Sequence, residues 1–193
     1  MTTADTAVLL FGDRRLPRPL RSLPIAGVDE AAGYRRVLVV GSDADLAAVL
    51  TRLLRADRLD VEVAYATSAR GARHAVNGAA QRVPLIRDET GTVIVGSAVW
   101  HGVDGPLHGE AVVDDTVLFD GHAPGVRVEP TLAMPGLRAA ILSGGGRPRR
   151  WVTGRAAQLG TTGALVIRDG VPGPRQVKRS TFYRHTEGWL RVR

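Results

Sequence analysis

The feature that most constrains this chain is the block Val37 to Leu54, VLVVGSDADLAAVLTRLL, in which the apolar period changes once. Val37-Leu38-Val39-Val40 is a continuous aliphatic run between Arg36 and Gly41, the pattern of a strand buried on both faces of a parallel sheet. From Asp45 onward, Leu46, Val49, Leu50, Leu53 and Leu54 share one helical face while Asp45, Arg52 and Arg55 lie elsewhere. That spacing predicts an amphipathic helix running to about Ala56. Ser42 or Asp43 is placed to cap its N-terminus by accepting an amide hydrogen bond. Asp60 to Ala66 then alternates Val61, Val63 and Tyr65 with Glu62 and Ala64, which predicts the next strand. Together these segments form a βαβ unit with Val37–Val40 at the centre of its sheet.

The flanks read differently. Residues 12–36 mix Arg14, Arg15, Pro17, Arg18, Pro19, Arg21 and Pro24 with glycine, a composition that breaks regular structure. After Ala66 the pattern weakens, with one short helix expected around Ala69 to Val76. From Val83 onward, short apolar runs alternate with Gly, Pro and Asp turns: Val83–Ile86, Thr92–Val95, Glu110–Phe119, Val126–Glu129, Leu137–Leu142, Trp151–Leu159, Ala164–Arg168, Gln176–Arg184 and Trp189–Val192. This is the spacing of an antiparallel sandwich. The expected fold class is α/β plus β. An irregular lead-in over 1–36 precedes a small βαβ, nucleotide-binding-like lobe over 37–82. A C-terminal antiparallel β-sandwich over 83–193 follows, with Trp189–Val192 as its terminal strand.

Composition removes several classes of function. There is no cysteine among the 193 residues, so disulfides, thiolate metal sites and cysteine redox chemistry are excluded. The apolar run Ala7–Phe11 is short and follows Asp5, unlike a secretion signal, and no stretch reaches the roughly 18 apolar residues of a membrane span. A bacterial-type cytoplasm is the expected compartment. The net charge of +7 is unevenly placed: residues 147–193 hold eleven Lys and Arg against only Asp169 and Glu187. Arg147, Arg149, Arg150, Lys178, Arg179 and Arg184 form the expected basic surface, which would attract phosphates on nucleotides, lipid headgroups or nucleic acid. Of the 26 basic residues only Lys178 is lysine, a bias that a GC-rich genome also produces.

Chemistry is best placed at the turn Gly41-Ser42-Asp43-Ala44-Asp45. Free amides at a helix start favour an anion there. Asp43 and Asp45 would repel a bare phosphate, so the turn suits either a cation-neutralised phosphate or a helix whose N-terminus is capped from within. Gly144-Gly145-Gly146, followed by Arg147, Arg149 and Arg150, reads as a hairpin turn with the composition of a phosphate cradle. His101, His108, Glu110, Asp114, Asp115 and His122 cluster in sequence but match no zinc spacing, and are expected at the surface. Ser143 and Ser180 lack any nucleophile-elbow or triad context. Trp151, Phe182, Tyr183 and Trp189 lie among the tail's cations; they are either core residues or a platform for stacking bases.

Val37 to Leu54 resembles the strand, turn and helix around the GGDGT motif of the diacylglycerol kinase and NAD kinase superfamily. Gly41 and Asp43 match the motif, whereas Ser42, Ala44 and Asp45 depart from it, adding side chains and charge where backbone should approach phosphate. The C-terminal half is similar to the lipid-kinase branch, whose sandwich ends in strands around a DGE segment. Asp169-Gly170 matches its first two residues and Val171 replaces the Glu. The family's GTxND segment is not recognisable in Thr67 to Val76. The resemblance implies ATP and Mg²⁺ as cofactors and a lipid hydroxyl as acceptor. Gly41, Ser42, Asp43 and Asp45 would then lie at the nucleotide, with Asp43 also serving the metal and Asp169 acting as the catalytic carboxylate. The lost motif residues imply a shortened, weak or inactive relative. A non-catalytic module binding a nucleotide, lipid or protein is the alternative, and nucleic-acid binding through the basic tail is a further one.

Overall fold

A computed structural model describes residues 4–66 and 69–193. Along the chain the elements are β1 (Ala4–Leu10), β2 (Tyr34–Val40), α1 (Asp43–Arg55), β3 (Glu62–Tyr65), α2 (Ala69–Asn77), β4 (Ala80–Val83), β5 (Ile86–Asp88), β6 (Val93–Ile94), β7 (Ala98–Gly102), β8 (Leu107–Val113), β9 (Thr116–Ala123), β10 (Val126–Pro130), β11 (Leu137–Ile141), β12 (Val152–Gly154), β13 (Ala156–Arg168), β14 (Val171–Pro172), β15 (Val177–Arg184) and β16 (Trp189–Val192). Two 3₁₀ turns, Arg18–Leu20 and Val28–Gly33, lie between β1 and β2. The chain divides into two compact units, residues 1–83 with 187–193, and residues 84–186.

The first unit is a three-layer α/β structure. Its sheet has the order β1-β2-β3-β16-β4, in which β1, β2, β3 and β16 run parallel and β4 pairs antiparallel with β16. Val37 to Val39 are fully buried and Val40 nearly so, as the unbroken aliphatic run requires of a strand covered on both faces. Val8, Leu38, Val40 and Ala64 pack on one face with Leu20, Ala72 and Ala75 from the first 3₁₀ turn and α2. On α1, Leu46, Val49, Leu50 and Leu53 are buried, and the helix lies against the second 3₁₀ turn. Arg36 closes the C-terminus of α2 by donating to the carbonyls of Ala75, Val76 and Gly78, with its charge balanced by Glu62 at 2.6 Å.

Two expectations change in this unit. The lead-in is not irregular throughout: Ala4–Leu10 forms the edge strand of the parallel sheet, and Ala7, Val8 and Leu9 are buried. Short length hid this strand, because the five apolar residues Ala7–Phe11, with an acid before them and Arg-Pro runs after them, give little periodicity. Trp189–Val192 is not a terminal strand of the sandwich. It inserts between β3 and β4, burying Trp189 and Val192, and this pairing depends on where the chain returns, which its local pattern does not encode.

The second unit is antiparallel β throughout. Its sheet runs β12-β11-β10-β7-β13-β15-β5-β6, with β8 and β9 added beside β13 and β14 paired to its end. The long strand β13 pairs with β8 through Ala157–Thr161 and with β7 through Ala164–Arg168. Its register against β15 shifts between Gly160 and Ala164. Such a shift lets one strand serve two layers, and both layers close on a core of Trp100, Leu107, Phe119, Val126, Leu137 and Phe182 among others. The run Glu110–Phe119 is two strands joined at Asp114-Asp115. The apolar run of β7, Ala98 to Trp100 before His101, is too short to stand out in the sequence. Gly144–Gly146 forms a hairpin turn, closed by the Gly146 amide on the Ser143 carbonyl at 2.9 Å.

Candidate functional site

The ends of β1, β2 and β3 lie along one edge of the first unit's sheet, because the three strands are parallel. The carboxyl ends of parallel strands are where open α/β folds bind ligands. Here that edge carries Phe11-Gly12-Asp13-Arg14 after β1, the glycine turn after β2 and Tyr65-Ala66 at the end of β3. The ladders run up to the turn, with the Phe11 amide donating to Val40 O at 3.0 Å and the Ala66 amide to Val39 O at 2.9 Å.

Within the turn Ser42 is the helix N-cap. Its hydroxyl accepts from the Asp45 amide at 3.3 Å. The Asp45 carboxylate folds back and accepts from the Ser42 amide and the Ser42 hydroxyl, each at 2.7 Å. This is a reciprocal capping box, and it places an internal carboxylate on an amide that a phosphate oxygen would otherwise use. Gly41 makes room for it: a Cβ there would stand 2.8 Å from both Cβ and Oδ2 of Asp45. Asp43, in the first turn of α1, is exposed.

Tyr65, an apolar strand position by alternation, also brings a phenol to this edge. Its hydroxyl donates to the Gly41 carbonyl at 3.2 Å. Burial, followed by the nearby Asp43 carboxylate, pushes its phenol up to about 12, while Arg14 pulls the other way. Arg14 is exposed beyond β1 and adds a cation near Tyr65, with Arg15 next to it in the chain. A strand-terminal Tyr beside a candidate turn was the available signal for the phenol. Nothing local marked the arginines, whose place depends on β1 being a strand.

Mg²⁺ is normally held by one or two carboxylates together with substrate phosphates. Of the turn's two carboxylates, Asp45 is engaged with Ser42 and Asp43 faces solvent, so the donor set fits a magnesium held by Asp43 and nucleotide phosphates. Among the described residues no three His, Asp or Glu converge on a ready-made metal site.

Asp169 sits in the second unit, in the two-residue turn between β13 and β14, with φ +48°. Its carboxylate accepts from the amides of Val95, Gly96 and Ser97 at 3.0, 2.7 and 2.8 Å. Asp114 has the same φ in the two-residue turn between β8 and β9, and its carboxylate accepts from the amides of Arg155 and Ala156 at 2.9 and 3.0 Å. The two aspartates are twins: each turns a hairpin and ties a neighbouring segment to it. The remaining candidates are spread over the second unit. Arg147, Arg149 and Arg150 are exposed around the β11–β12 turn, Lys178 and Arg179 project from β15, and Arg184 donates to Pro135 O and Met134 Sδ, both at 2.9 Å. Phe182 is core, Trp151 lies under Arg138 and Tyr183 under Arg87, so the tail's aromatics are committed to packing.

No protein-family model and no curated protein matches the sequence. Solved structures do match, over nearly the whole chain. A putative diacylglycerol kinase from Bacillus anthracis strain Sterne aligns with a TM-score of 0.75 at 11% identity, covering 98% of this chain and 96% of its own. A second diacylglycerol kinase structure from the same organism gives 0.72 at 11%, with coverage of 98% and 96%. An NAD kinase from Archaeoglobus fulgidus, solved in complex with ATP, gives 0.66 at 13%, covering 98% and 93%. The architecture is an α/β unit followed by an antiparallel β unit. The chain shares the fold of these diacylglycerol kinase and NAD kinase structures. No helix among the described residues is long and apolar enough to cross a membrane.

Proposed function

We propose that this chain is a diacylglycerol kinase-like protein in which phosphoryl transfer is very slow or absent, and whose glycine turn binds nucleotide phosphate weakly. The observation that carries this reading is the Asp45 carboxylate seated on the Ser42 amide and hydroxyl. Phosphoryl transfer depends almost entirely on positioning and charge neutralisation. A fixed negative charge on the phosphate-side amide opposes both. Asp43 and the cations Arg14 and Arg15 are the groups left to receive a magnesium-bound nucleotide, and magnesium would supply the missing neutralisation of its phosphates. Asp169, the carboxylate expected at a lipid acceptor, has both oxygens occupied by amides, which leaves it poorly available to take a proton. With the aromatics packed and the cations dispersed, the tail lacks the interleaved platform of a nucleic-acid binder.

The test is turnover and binding on the purified chain with labelled ATP, Mg²⁺ and a panel of diacylglycerols, sphingoid bases and NAD, alongside Asp43→Ala and Asp169→Asn. Weak ATP binding that is lost in Asp43→Ala, without turnover, is the expected result. Robust lipid phosphorylation abolished by both substitutions would make the protein an active kinase and overturn the reading.

A further inference from the structure

The hairpin β8–β9 carries two cross-strand pairs that neither the fold nor the glycine turn explains. Leu107, Ala111 and Val113 on β8, with Phe119 and Ala123 on β9, are buried in the core of the second unit. The strand alternation therefore turns His108, Glu110, Asp120 and His122 outward, and all four are exposed. Register sets His108 directly opposite His122 and Glu110 directly opposite Asp120. The two imidazole rings have centres 4.4 Å apart and planes inclined at 47°. Between these rungs the inward positions are Gly109 and Gly121, with φ of +150° and +106°. A Cβ on Gly109 would collide with the Gly160 carbonyl oxygen, so the hairpin is seated tightly on β13 and its outward face is backed by a rigid sheet.

This face is electrostatically unfavourable as it stands. Like charges directly opposite one another on a sheet destabilise it. Among the described residues neither Glu110 nor Asp120 takes part in an ion pair. A paired-carboxylate rung beside a paired-imidazole rung is an arrangement that a cation relieves, and imidazole nitrogen selects the ion class: zinc, copper(II) or nickel rather than magnesium or calcium. The histidines also line a cleft of about 380 Å³ together with Asp104, Thr162 and Gln176, which gives an ion and its waters room.

We propose that the outward face of β8–β9 binds one divalent transition-metal ion through ring nitrogens of His108 and His122. Nitrogens at about 2.0–2.1 Å from a tetrahedral ion place the ring centres roughly 5 Å apart, a small side-chain rotation from the observed spacing. Because no three His, Asp or Glu among the described residues already converge, water completes the shell. Glu110 and Asp120 on the adjacent rung orient that water and supply negative charge. Two residues that accompanied this pair in the sequence are placed elsewhere: Asp114 is held by the Arg155 and Ala156 amides, and His101 belongs to β7. The site lies wholly in the second unit and is independent of the nucleotide reading.

Titration calorimetry of the full chain with zinc and nickel chloride in a non-coordinating buffer tests it. One ion per chain is expected, with affinity lowered at least about tenfold in His108→Ala and in His122→Ala and lost in the double variant. Glu110→Gln with Asp120→Asn should weaken binding several-fold and keep the stoichiometry, and His74→Ala on α2 should change nothing. All these side chains are exposed, and urea unfolding of each variant checks that the fold is intact. Absence of binding by the wild type, or wild-type affinity in the His108→Ala/His122→Ala variant, would overturn the proposal.

Discussion

Gly41→Ala should destabilise the first unit through its contact with Asp45. The new Cβ would lie 2.8 Å from Asp45 Cβ and Oδ2, closer than those atoms can sit: rotating the Asp45 carboxylate out of the capping box clears Oδ2, and the first turn of α1 must also shift to clear Cβ. That breaks the two hydrogen bonds from Ser42 at 2.7 Å, and losing a helix N-terminal cap of this kind costs about 1–2 kcal/mol. Gly41 does not lie in the left-handed region, so alanine adds no backbone strain there and recovers about 0.5 kcal/mol from the unfolded chain. Once Asp45 has been replaced by glycine, which removes both clashing atoms, the same Gly41→Ala change should therefore be neutral or slightly stabilising. Urea unfolding of the four proteins of this cycle, followed by the fluorescence of Trp189, measures a coupling of about 1–2 kcal/mol if the clash is the whole cause. Equal losses in the two backgrounds would refute the reasoning. Under the proposed function Asp45→Ala should also tighten ATP binding, since it frees the Ser42 amide and removes a charge.

Asp169→Asn should lower the stability of the second unit by about 1–3 kcal/mol, because an amide side chain keeps only one acceptor for three N–H groups; an unchanged denaturation midpoint would show that the clamp contributes nothing. Leu50→Ala, at a fully buried position of α1, should cost roughly 2–5 kcal/mol, checked by the same unfolding assay. Deleting residues 189–193 should unfold the first unit and leave the second folded, since β16 bridges β3 and β4; amide exchange mapped along the chain would show a uniform loss of protection if this is wrong. The Tyr65 phenol is raised to about 12. A group whose pKa is raised in the folded state stabilises fully below its unfolded value of about 10 and loses that contribution as pH climbs through the folded value. Stability should accordingly fall between about pH 10 and 12 by more in the wild type than in Tyr65→Phe, and an ultraviolet tyrosinate titration in which Tyr65→Phe removes no late component would contradict the assignment.

Local pattern was enough wherever one segment's own residues settle its structure. The strand Val37–Val40, the helix after it, its Ser42 cap and the strand around Val63 follow from periodicity and capping chemistry, because buried faces and N-terminal amides impose residue types on the segment itself. The triglycine turn and the Asp169-Gly170 hairpin were legible for the same reason. Tertiary structure alone decided the rest. Ala4–Leu10 and Trp189–Val192 are short strands whose meaning lies in their partners, and hydrogen bonding to a distant strand leaves no mark on a strand's own sequence. The Ser-x-x-Asp spacing of Ser42 and Asp45 is a capping signature in the sequence itself, whereas the space Gly41 leaves for that carboxylate shows only in the turn's geometry. Asp169 reads as a free acid in a family motif until the amides of residues 95–97, remote in sequence, are brought against it. His108 and His122 become a pair only through the register of β8 and β9, because a sheet aligns residues by hydrogen-bond pairing across strands and sequence spacing does not specify that alignment.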